Sequence, residues 1–175
     1  MDRLPVVRRA EPEELAGLVA IEAAADRLFA TIGFDLEPGP STLDGLRRAR
    51  VVLVAGRPPV GFAAMEEVDG SAHLEQLAVD PAHGRRGIGA ALLAAGCQWA
   101  ARSGYPTVTL VTYADVAWNG PFHARHGFRP TEALGPELAE LRANDRRNGL
   151  DELGRRQVMV LRLDRPPVEP TTGVP

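Results

Sequence analysis

The chain has 175 residues, of which 45% are hydrophobic and 25% charged, values typical of one globular domain. Its 20 basic residues are all arginine and stand against 23 acidic ones, and this net charge of −3 argues against nucleic acid as a partner, because phosphates need a basic surface. A single cysteine, Cys97, excludes an internal disulfide, and four scattered histidines give no metal-ligand spacing, so we expect no metal. No apolar run is long enough for a membrane span or an export signal, so we expect a cytoplasmic location and no membrane partner.

Hydrophobic periodicity and turn residues predict the elements in chain order. The first half contains a strand Leu4–Arg9, a helix from Pro12 to about Ala30, a loop Thr31–Ser41, a short helix Leu43–Ala49, and strands Val51–Ala55, Val60–Glu67 and His73–Val79. The second half contains a loop His83–Gly89, an amphipathic helix ending near Gly104, a strand Thr107–Tyr113, a helix Val116–His126, a helix-capable stretch Pro136–Leu153 and a strand Val158–Leu163.

The order of these elements predicts the fold class. Two turn signals, Gly56-Arg57-Pro58-Pro59 and Asp69-Gly70, join three strands into an antiparallel meander. A strand–helix–strand crossover follows, so we expect an α/β fold with a mixed sheet and helices on both faces. We predict one domain over residues 1–165 and a Pro-rich, disordered tail over residues 166–175.

A segment rich in glycine and arginine carries most of the chemical information. In Leu74–Leu93, LEQLAVDPAHGRRGIGAALL, a predicted strand runs through a loop directly into a helix N-terminus. The loop contains three glycines, Gly84, Gly87 and Gly89. Glycine lets backbone N–H groups face a ligand, the helix dipole favours an anion, and Arg85 and Arg86 add positive charge, which together predict a phosphate-binding loop. The segment has no Gly-Lys-Ser/Thr of a Walker A loop, and no acidic residue ends the following strand as in a dinucleotide fold.

Two motifs together resemble the GNAT N-acetyltransferase superfamily. Val79-Asp80-Pro81, followed by RGIGAALL over Arg86–Leu93, is similar to the acetyl-CoA motif of that family. WNGPFHARHGF, over Trp118–Phe128, looks like the family's helix-to-strand signature "N…fY…GF". The upstream hairpin and the order of elements agree with the GNAT fold from Leu4 to Leu163.

The resemblance implies a CoA site between two diverging strands. In GNAT enzymes the fourth strand diverges from the fifth, and the pantetheine of the cofactor fills the gap. The backbone of the fourth strand would bind the pantetheine at Leu77, Ala78 and Val79. Loop and helix amides would hold the pyrophosphate at Arg85, Arg86, Gly87, Ile88, Gly89 and Ala90. Asn119 and Phe122 would line the thioester end, with acetyl-CoA as the co-substrate.

Two positions depart from the family pattern. Gly84 stands where Gln or Arg is usual, so one phosphate contact is expected to move to Arg85 while the backbone donors stay. His123 stands where the family commonly has tyrosine, a candidate general acid. Three roles stay open for this imidazole: proton donor to the leaving thiolate, hydrogen-bond donor to the departing sulfur, or filler on a helix face.

The candidate general base is Glu75 or His73. The two residues alternate on one predicted strand and therefore share a face. Partial burial would raise the pKa of Glu75 toward the range useful for accepting a proton near neutral pH. Some GNAT enzymes carry imidazoles at these strand positions, which keeps His73 open, and a solvent-facing or cross-strand pair is the alternative without a catalytic role.

Two carboxylates on the first helix are candidate acceptor-binding groups. Glu22 and Asp26 are four residues apart, beside the loop Thr31–Ser41, which the resemblance places over the acceptor pocket. Two carboxylates there would attract a cationic amine, although a solvated helix face is the commoner reason for such a pair.

The resemblance implies an N-acetyltransferase that moves an acetyl group from acetyl-CoA to a primary amine of a small molecule or peptide by direct attack. One alternative is a non-catalytic acyl-CoA-binding module that acts as a sensor or regulator, which His123 in place of tyrosine would suit. Another is a phosphate-binding protein unrelated to CoA. Dimers are frequent in the family, so a homodimer is a further expectation.

Overall fold

The computed structural model describes residues 5–35 and 42–163. Leu4, most of the predicted loop Thr31–Ser41 and the predicted tail over residues 166–175 lie outside the described residues. In the described ranges, no helix is long and apolar enough to cross a membrane.

Strands and helices alternate along the described chain. The strands are β1 (Val7–Arg9), β2 (Val51–Ala55), β3 (Gly61–Val68), β4 (Ser71–Val79), β5 (Thr107–Tyr113), β6 (Arg129–Pro130) and β7 (Arg156–Arg162). The helices are α1 (Leu15–Ala30), α2 (Leu43–Arg48), α3 (Ile88–Arg102), α4 (Gly120–Arg125), α5 (Pro136–Arg147) and α6 (Leu150–Leu153). Short 3-10 turns at Pro12–Glu14 and Pro81–His83 precede α1 and α3.

The seven described strands form one mixed sheet in the order β1-β2-β3-β4-β5-β7-β6. Every neighbouring pair is antiparallel except β4 and β5, which are parallel and joined by the crossover helix α3. The turn between β3 and β4 is made by Asp69 and Gly70, with φ angles of 50° and 71°, the left-handed conformation that a two-residue hairpin requires. The predicted mixed α/β sheet is thereby confirmed.

Helices cover both faces of the sheet, as predicted. On one face Leu92 of α3 packs in a cluster with Leu74 and Leu110. On the opposite face Leu18 of α1 packs in a cluster with Phe62 and residues of β2. These side chains are almost fully buried, and burying each contributes about 1.5–3 kcal/mol relative to exposure.

One predicted helix begins later than expected, and the helix-capable stretch contains two helices rather than one. The helix predicted over Val116–His126 begins only at Gly120, because Pro121 belongs in a first helical turn and Asn119 has non-helical dihedral angles, φ −115° and ψ −106°. The stretch Pro136–Leu153 divides into α5 and α6 at Gly149, whose φ of 74° breaks the helix. The two-residue strand β6 has no sequence signal of its own, because it exists only by pairing with β7.

Candidate active site

The parallel strands β4 and β5 pair only over their first halves. The paired residues are Ala72–Leu74 of β4 and Val108–Leu110 of β5. β4 then continues along β3 to Val79, whereas β5 continues along β7 to Tyr113. The two strands therefore diverge, and a wedge-shaped gap opens between their carboxyl ends.

A β-bulge at Glu75 marks the point of divergence. In the β3–β4 register Met65 opposes Leu74 and Ala64 opposes Gln76, so Glu75 is the extra residue. Such a bulge bends its strand and re-aims a side chain. Here the bulge bends β4 where it leaves β5 and leaves the Glu75 carboxylate on the same face as His73, with 3.7 Å between Oε2 and Nε2.

Beyond the bulge, the backbone of β4 lies along the edge of the gap. The side chains of Leu77 and Val79 pack in the cluster under α3, and Ala78 packs on the α1 face, so these side chains are core residues. The amide of Leu77 donates to the Gln76 side-chain oxygen at 3.0 Å. A pantetheine using that amide would have to displace Gln76, whose own amide group donates to Glu22.

The predicted phosphate-binding loop ends at the N-terminus of α3. Gly87, the residue before the helix, has a φ of 80°, and Arg85 has a φ of 61°, so both adopt the left-handed conformation. The first bond of the helical ladder runs from the Ala91 amide to the Gly87 carbonyl. The amides of Ile88, Gly89 and Ala90 therefore precede the ladder and point out of the helix end, where the dipole favours an anion.

The loop is exposed and tightly turned. Arg85, Arg86 and Gly87 are all exposed, so the two guanidinium groups stand at the surface beside the helix end. At Gly84 an added β-carbon would lie 3.2 Å from the carbonyl oxygen of Pro81. The glycine in place of the family's Gln or Arg thus matches a close approach of the backbone.

Three elements converge at the end of the gap near α4. A β-carbon added to Gly89 would lie 3.8 Å from the Phe122 ring and 3.8 Å from the Val79 side chain, which brings together α3, α4 and β4. Asn119 is fixed to β5, because its Oδ1 accepts a hydrogen bond of 3.1 Å from the Thr112 hydroxyl. A β-carbon on Gly120 would lie 2.6 Å from the Ala114 carbonyl oxygen, so only glycine lets α4 begin so close to β5.

His123 is buried in this region. It is 8% exposed and packs edge-on against Phe122 and Phe128, with ring centroids 5.1 and 5.7 Å apart. Burial, reinforced by the neighbouring His126, lowers the pKa of His123 to about 4, so its imidazole is neutral at pH 7. Within the described residues its Nδ1 has no hydrogen-bond partner. A buried polar atom of this kind favours a ligand or water as its partner.

His73 lies on the face of the sheet opposite to α3, because its neighbours Ala72 and Leu74 pack in the cluster under α3. Its Nδ1 is 2.9 Å from the Thr109 hydroxyl, which donates to the Ala72 carbonyl oxygen at 3.5 Å. That hydroxyl therefore accepts from Nδ1–H, and the Nε2 lone pair faces Glu75. Burial lowers the pKa of His73 to about 4, so the imidazole is neutral at pH 7.

Glu75 is the group in this region that titrates near neutral pH. Desolvation is the main cause that raises its pKa to about 7, and the neighbouring carboxylates of Glu66, Asp145 and Glu22 add to it. Its side chain keeps 34% exposure, so the carboxylate is reachable from outside. A carboxylate with these properties is suited to accept a proton at physiological pH.

The expectation that Glu22 belongs to a solvated helix face is wrong. Glu22 is only 2% exposed, because α1 lies across the sheet and directs this carboxylate onto Gln76. Asp26, one turn further along α1, is half-buried. Glu22 contacts β4 through its hydrogen bond with Gln76.

Two cavities flank the gap. One of about 280 Å³ lies between Ala24, Arg27 and Leu28 of α1 and the end of β4 at Asp80 and Pro81. The other, of about 200 Å³, lies between α2 and the strands β3 and β4, and its lining includes Arg48, Glu66 and Glu75. In the described ranges, no group of three or more His, Cys, Asp or Glu side chains could hold a metal ion.

The sequence analysis missed Glu66, Gln76 and Thr109. Glu66 had a usable signal, because the two-residue turn Asp69-Gly70 fixes the hairpin register and sets Glu66 opposite His73. Gln76 and Thr109 had none, because their contacts depend on the bulge and on the parallel pairing of two strands distant in sequence.

The two buried histidines lead to a prediction about acid stability. Between pH 6.5 and about 4, His73 and His123 are protonated in the unfolded chain but stay neutral in the folded chain. The free energy of unfolding therefore decreases as the pH falls through this window. The loss is at most about 3 kcal/mol per histidine. We expect urea unfolding at pH 7.5, 6, 5 and 4.5 to show this decline, with a shallower slope in His123→Phe. Equal slopes in the two proteins would contradict the assignment of His123 as a buried neutral group.

The diverging parallel strands, the amides at the N-terminus of α3 and the carboxylate at the bulge agree with the resemblance to acyltransferases that use a CoA thioester. The sequence matches the Acetyltransferase (GNAT) family over residues 22–128, and the chain belongs to that family. The resemblance drawn from the two motifs is confirmed, and the protein is an acyltransferase. Family membership favours an enzyme over a binding module and over a phosphate-binding protein unrelated to CoA.

Solved structures share the fold over nearly the whole chain. The PaiA N-acetyltransferase from Thermoplasma acidophilum in complex with coenzyme A is 13% identical, with a TM-score of 0.65 over 93% of this chain and 100% of that one. Rv2747 from Mycobacterium tuberculosis, in complex with CoA, is 26% identical, with a TM-score of 0.63 over 91% and 100%. N-acetylglutamate synthase from Neisseria gonorrhoeae, complexed with coenzyme A and N-acetyl-glutamate, is 23% identical, with a TM-score of 0.65 over 94% of this chain but 36% of that one.

Proposed function

We propose that the protein transfers an acetyl group from acetyl-CoA to a primary amine by direct attack of the amine, with Glu75 as the general base. The observation that carries the proposal is the position of Glu75, at the bulge where β4 leaves β5, facing a cavity and with a pKa of about 7. A primary amine arrives largely as an ammonium ion, with a reference pKa of about 8 to 10, and must lose a proton before it can attack. Glu75 is reachable by that ammonium and is ionised in an appreciable fraction of molecules at pH 7.

Acetyl-CoA would supply the acetyl group as a thioester. The chain's own contributions to its binding are the amides of Ile88, Gly89 and Ala90 for the phosphates and the backbone of β4 beyond the bulge for the pantetheine. Phe122 and Val79 would exclude water from the thioester end. The left-handed conformation at Gly87 fits this role, because it turns the chain into the helix without a side chain in front of the amides.

His73 suits a supporting role better than that of the base. With a pKa of about 4 it is a weak base at neutral pH, whereas the pKa of Glu75 matches the working range. The Nε2 of His73 lies 3.7 Å from Oε2 of Glu75, so the imidazole would pack beside the base. Glu75 would therefore receive the proton.

The test is release of CoA thiol from acetyl-CoA in the presence of a panel of primary amines, with product identified by mass spectrometry. Amine-dependent thiol release with a stoichiometric N-acetyl product is expected. CoA is expected to raise the melting temperature, since ligand at a hundred times its dissociation constant stabilises a protein by about 2.7 kcal/mol. Binding of CoA without turnover on any amine would contradict the proposal.

For His123 we propose the role of hydrogen-bond donor to the departing sulfur. A pKa of about 4 leaves only about one imidazole in a thousand protonated at pH 7, which disfavours the imidazolium as proton donor. A neutral imidazole can still donate one N–H, and Nδ1 has no partner among the described residues. His123→Phe is then expected to lower kcat by about tenfold, as for loss of one hydrogen bond to a developing charge, while His123→Tyr retains activity.

The pH profile of kcat separates the remaining roles of His123. A basic limb in the histidine range that disappears in His123→Phe would show a proton donor instead. Unchanged kinetics in His123→Phe would show that the side chain only fills space.

Two further properties stay predictions of the sequence. They are the cytoplasmic location and the homodimer, and size-exclusion chromatography with light scattering tests the second.

A further inference from the structure

The cavity between α2 and the sheet is lined by opposite charges. It has a volume of about 200 Å³, and Glu75 of the bulge forms part of its wall. Glu66 enters from β3, where it is paired across the hairpin with His73, and Arg48 enters from the last turn of α2. The volume is below the roughly 300–1,000 Å³ usual for drug-sized ligands, so the cavity suits a small molecule.

In the part of the chain that the structure describes, two of the charged side chains that line this cavity have no hydrogen-bonding or ionic partner. Within the described ranges, the side chains of Arg48 and Glu66 form no hydrogen bond or ion pair. Their immediate neighbours in sequence are paired: Arg47 with Asp44 at 3.4 Å, and Glu67 with Arg50 at 3.2 Å. Glu67 also accepts a hydrogen bond of 2.7 Å from the Tyr105 hydroxyl. The unpaired charges are therefore confined to the cavity side of each element.

Arg48 lines the cavity and is exposed, so this residue lies where the cavity meets solvent. Glu66 is half-buried, and Glu75 lies at the edge of the gap between β4 and β5. The cavity is therefore positively charged at its entrance and negatively charged toward the gap between β4 and β5. A ligand with a cationic and an anionic group would place its cation nearer to the gap.

We infer that the acceptor is a small zwitterion, an amino acid or a similar aminocarboxylate. This inference rests on the proposed function and names the substrate class for the same site. The carboxylate of the acceptor would pair with Arg48, whose planar guanidinium matches it with two parallel hydrogen bonds. The ammonium group would lie against Glu66 and Glu75.

Glu66 and Glu75 have different roles in the inferred reaction because they lie at different positions. Glu66 holds the ammonium group. Glu75 takes one proton from it, and the nitrogen lone pair attacks the thioester carbonyl. The N–C bond forms as the C–S bond breaks, and the second proton that the nitrogen then loses passes to the thiolate, which leaves as free CoA. The product is an N-acetyl amino acid, which has lost the positive charge that Glu66 and Glu75 attract and is released for that reason.

Matched pairs of acceptors test the inference. The probes are the standard amino acids and their carboxamides, which keep the amine and lose the negative charge, together with n-alkylamines and diamines. For the best amino acid we expect a kcat/KM at least tenfold above that of its amide. In Arg48→Ala this preference should fall about tenfold through KM, as expected when one charged hydrogen-bonded pair is lost. The matched control Arg47→Ala should keep the preference of the wild type.

A second pair of variants tests the ammonium side. Glu66→Gln should raise KM for amino acids and for their amides alike, about tenfold or more, while the control Glu67→Gln leaves both near wild type. The pH at which kcat/KM rises should also move downward in Glu66→Gln, because a neighbouring negative charge that raises the pKa of Glu75 has been removed. A role of Glu66 in folding alone would not move that pH.

The outcomes separate this inference from the proposed function. Acetylation of amides, alkylamines or diamines as fast as amino acids, or an unchanged preference in Arg48→Ala, would overturn the zwitterion inference and leave the amine acetyltransferase standing. CoA binding with no turnover on any of these amines would overturn both.

Discussion

Gly87→Glu is expected to abolish CoA binding while the chain still folds. Two effects act at this position. The added carboxylate would stand in front of the α3 amides and repel the phosphates that they bind, and the backbone φ of 80° is a conformation that residues with a β-carbon adopt at a cost of about 1–2 kcal/mol. The measurement is the CoA-induced shift in melting temperature, supported by calorimetric titration.

The chain offers a control matched for backbone strain. Gly104, just beyond the other end of α3, has a φ of 84°, and a β-carbon there would meet no atom within 4 Å. Gly104→Glu therefore carries the same strain and the same charge change away from the loop, and we expect it to bind CoA as the wild type does. Retained CoA affinity in a folded Gly87→Glu variant would overturn the assignment of the phosphate-binding loop.

Glu75→Gln is expected to lower kcat by about a hundredfold or more with unchanged CoA affinity, the usual effect of removing a general base. Glutamine keeps the size of the side chain and its hydrogen-bonding capacity but cannot accept the proton. Steady-state acetylation kinetics, with CoA binding measured separately, would show the split. Glu67→Gln is the matched control, because its carboxylate lies on the neighbouring strand and pairs with Arg50.

The raised pKa of Glu75 determines how the rate of the reaction depends on pH. The pKa of Glu75 is raised to about 7, so the carboxyl group is mostly protonated and inactive below that pH. In the wild type kcat/KM should rise as the pH rises through about 7, and this acidic limb should be absent from Glu75→Gln. A variant with a near-normal rate and a normal acidic limb would transfer the role to His73 or to a chain of water molecules.

Most strands could be predicted from sequence because their signals are local. Asp69-Gly70 is a two-residue turn between alternating runs, and Thr107–Tyr113 is rich in β-branched residues, so both elements lie where the pattern predicts them. Helix bounds were less predictable where capping and packing compete. α4 begins late because Gly120 must press against Ala114, a contact with β5 that no local pattern contains.

Part of the candidate site could also be predicted from local sequence features, and part could not. The loop before α3 could be predicted, since glycine spacing, arginine content and a following helix are all local features. The cavity beside α2 could not be predicted, because Arg48, Glu66 and Glu75 come from three elements that meet only when α2 packs on the sheet.

The sequence by itself determined the order of elements, the mixed sheet, the loop at the α3 N-terminus and the membership in the GNAT family, because each depends on residues close together in the chain. Only the tertiary structure decided which carboxylates are buried or desolvated. The sequence pattern favours a surface position for Glu22 on an amphipathic helix, yet the packing of α1 buries this residue against Gln76. Glu75 reads as one residue of a strand, yet the bulge and the divergence of β4 from β5 place it at the gap, and desolvation there raises its pKa to about 7. Burial and electrostatic environment are properties of the assembled chain, and no local pattern of residues contains them.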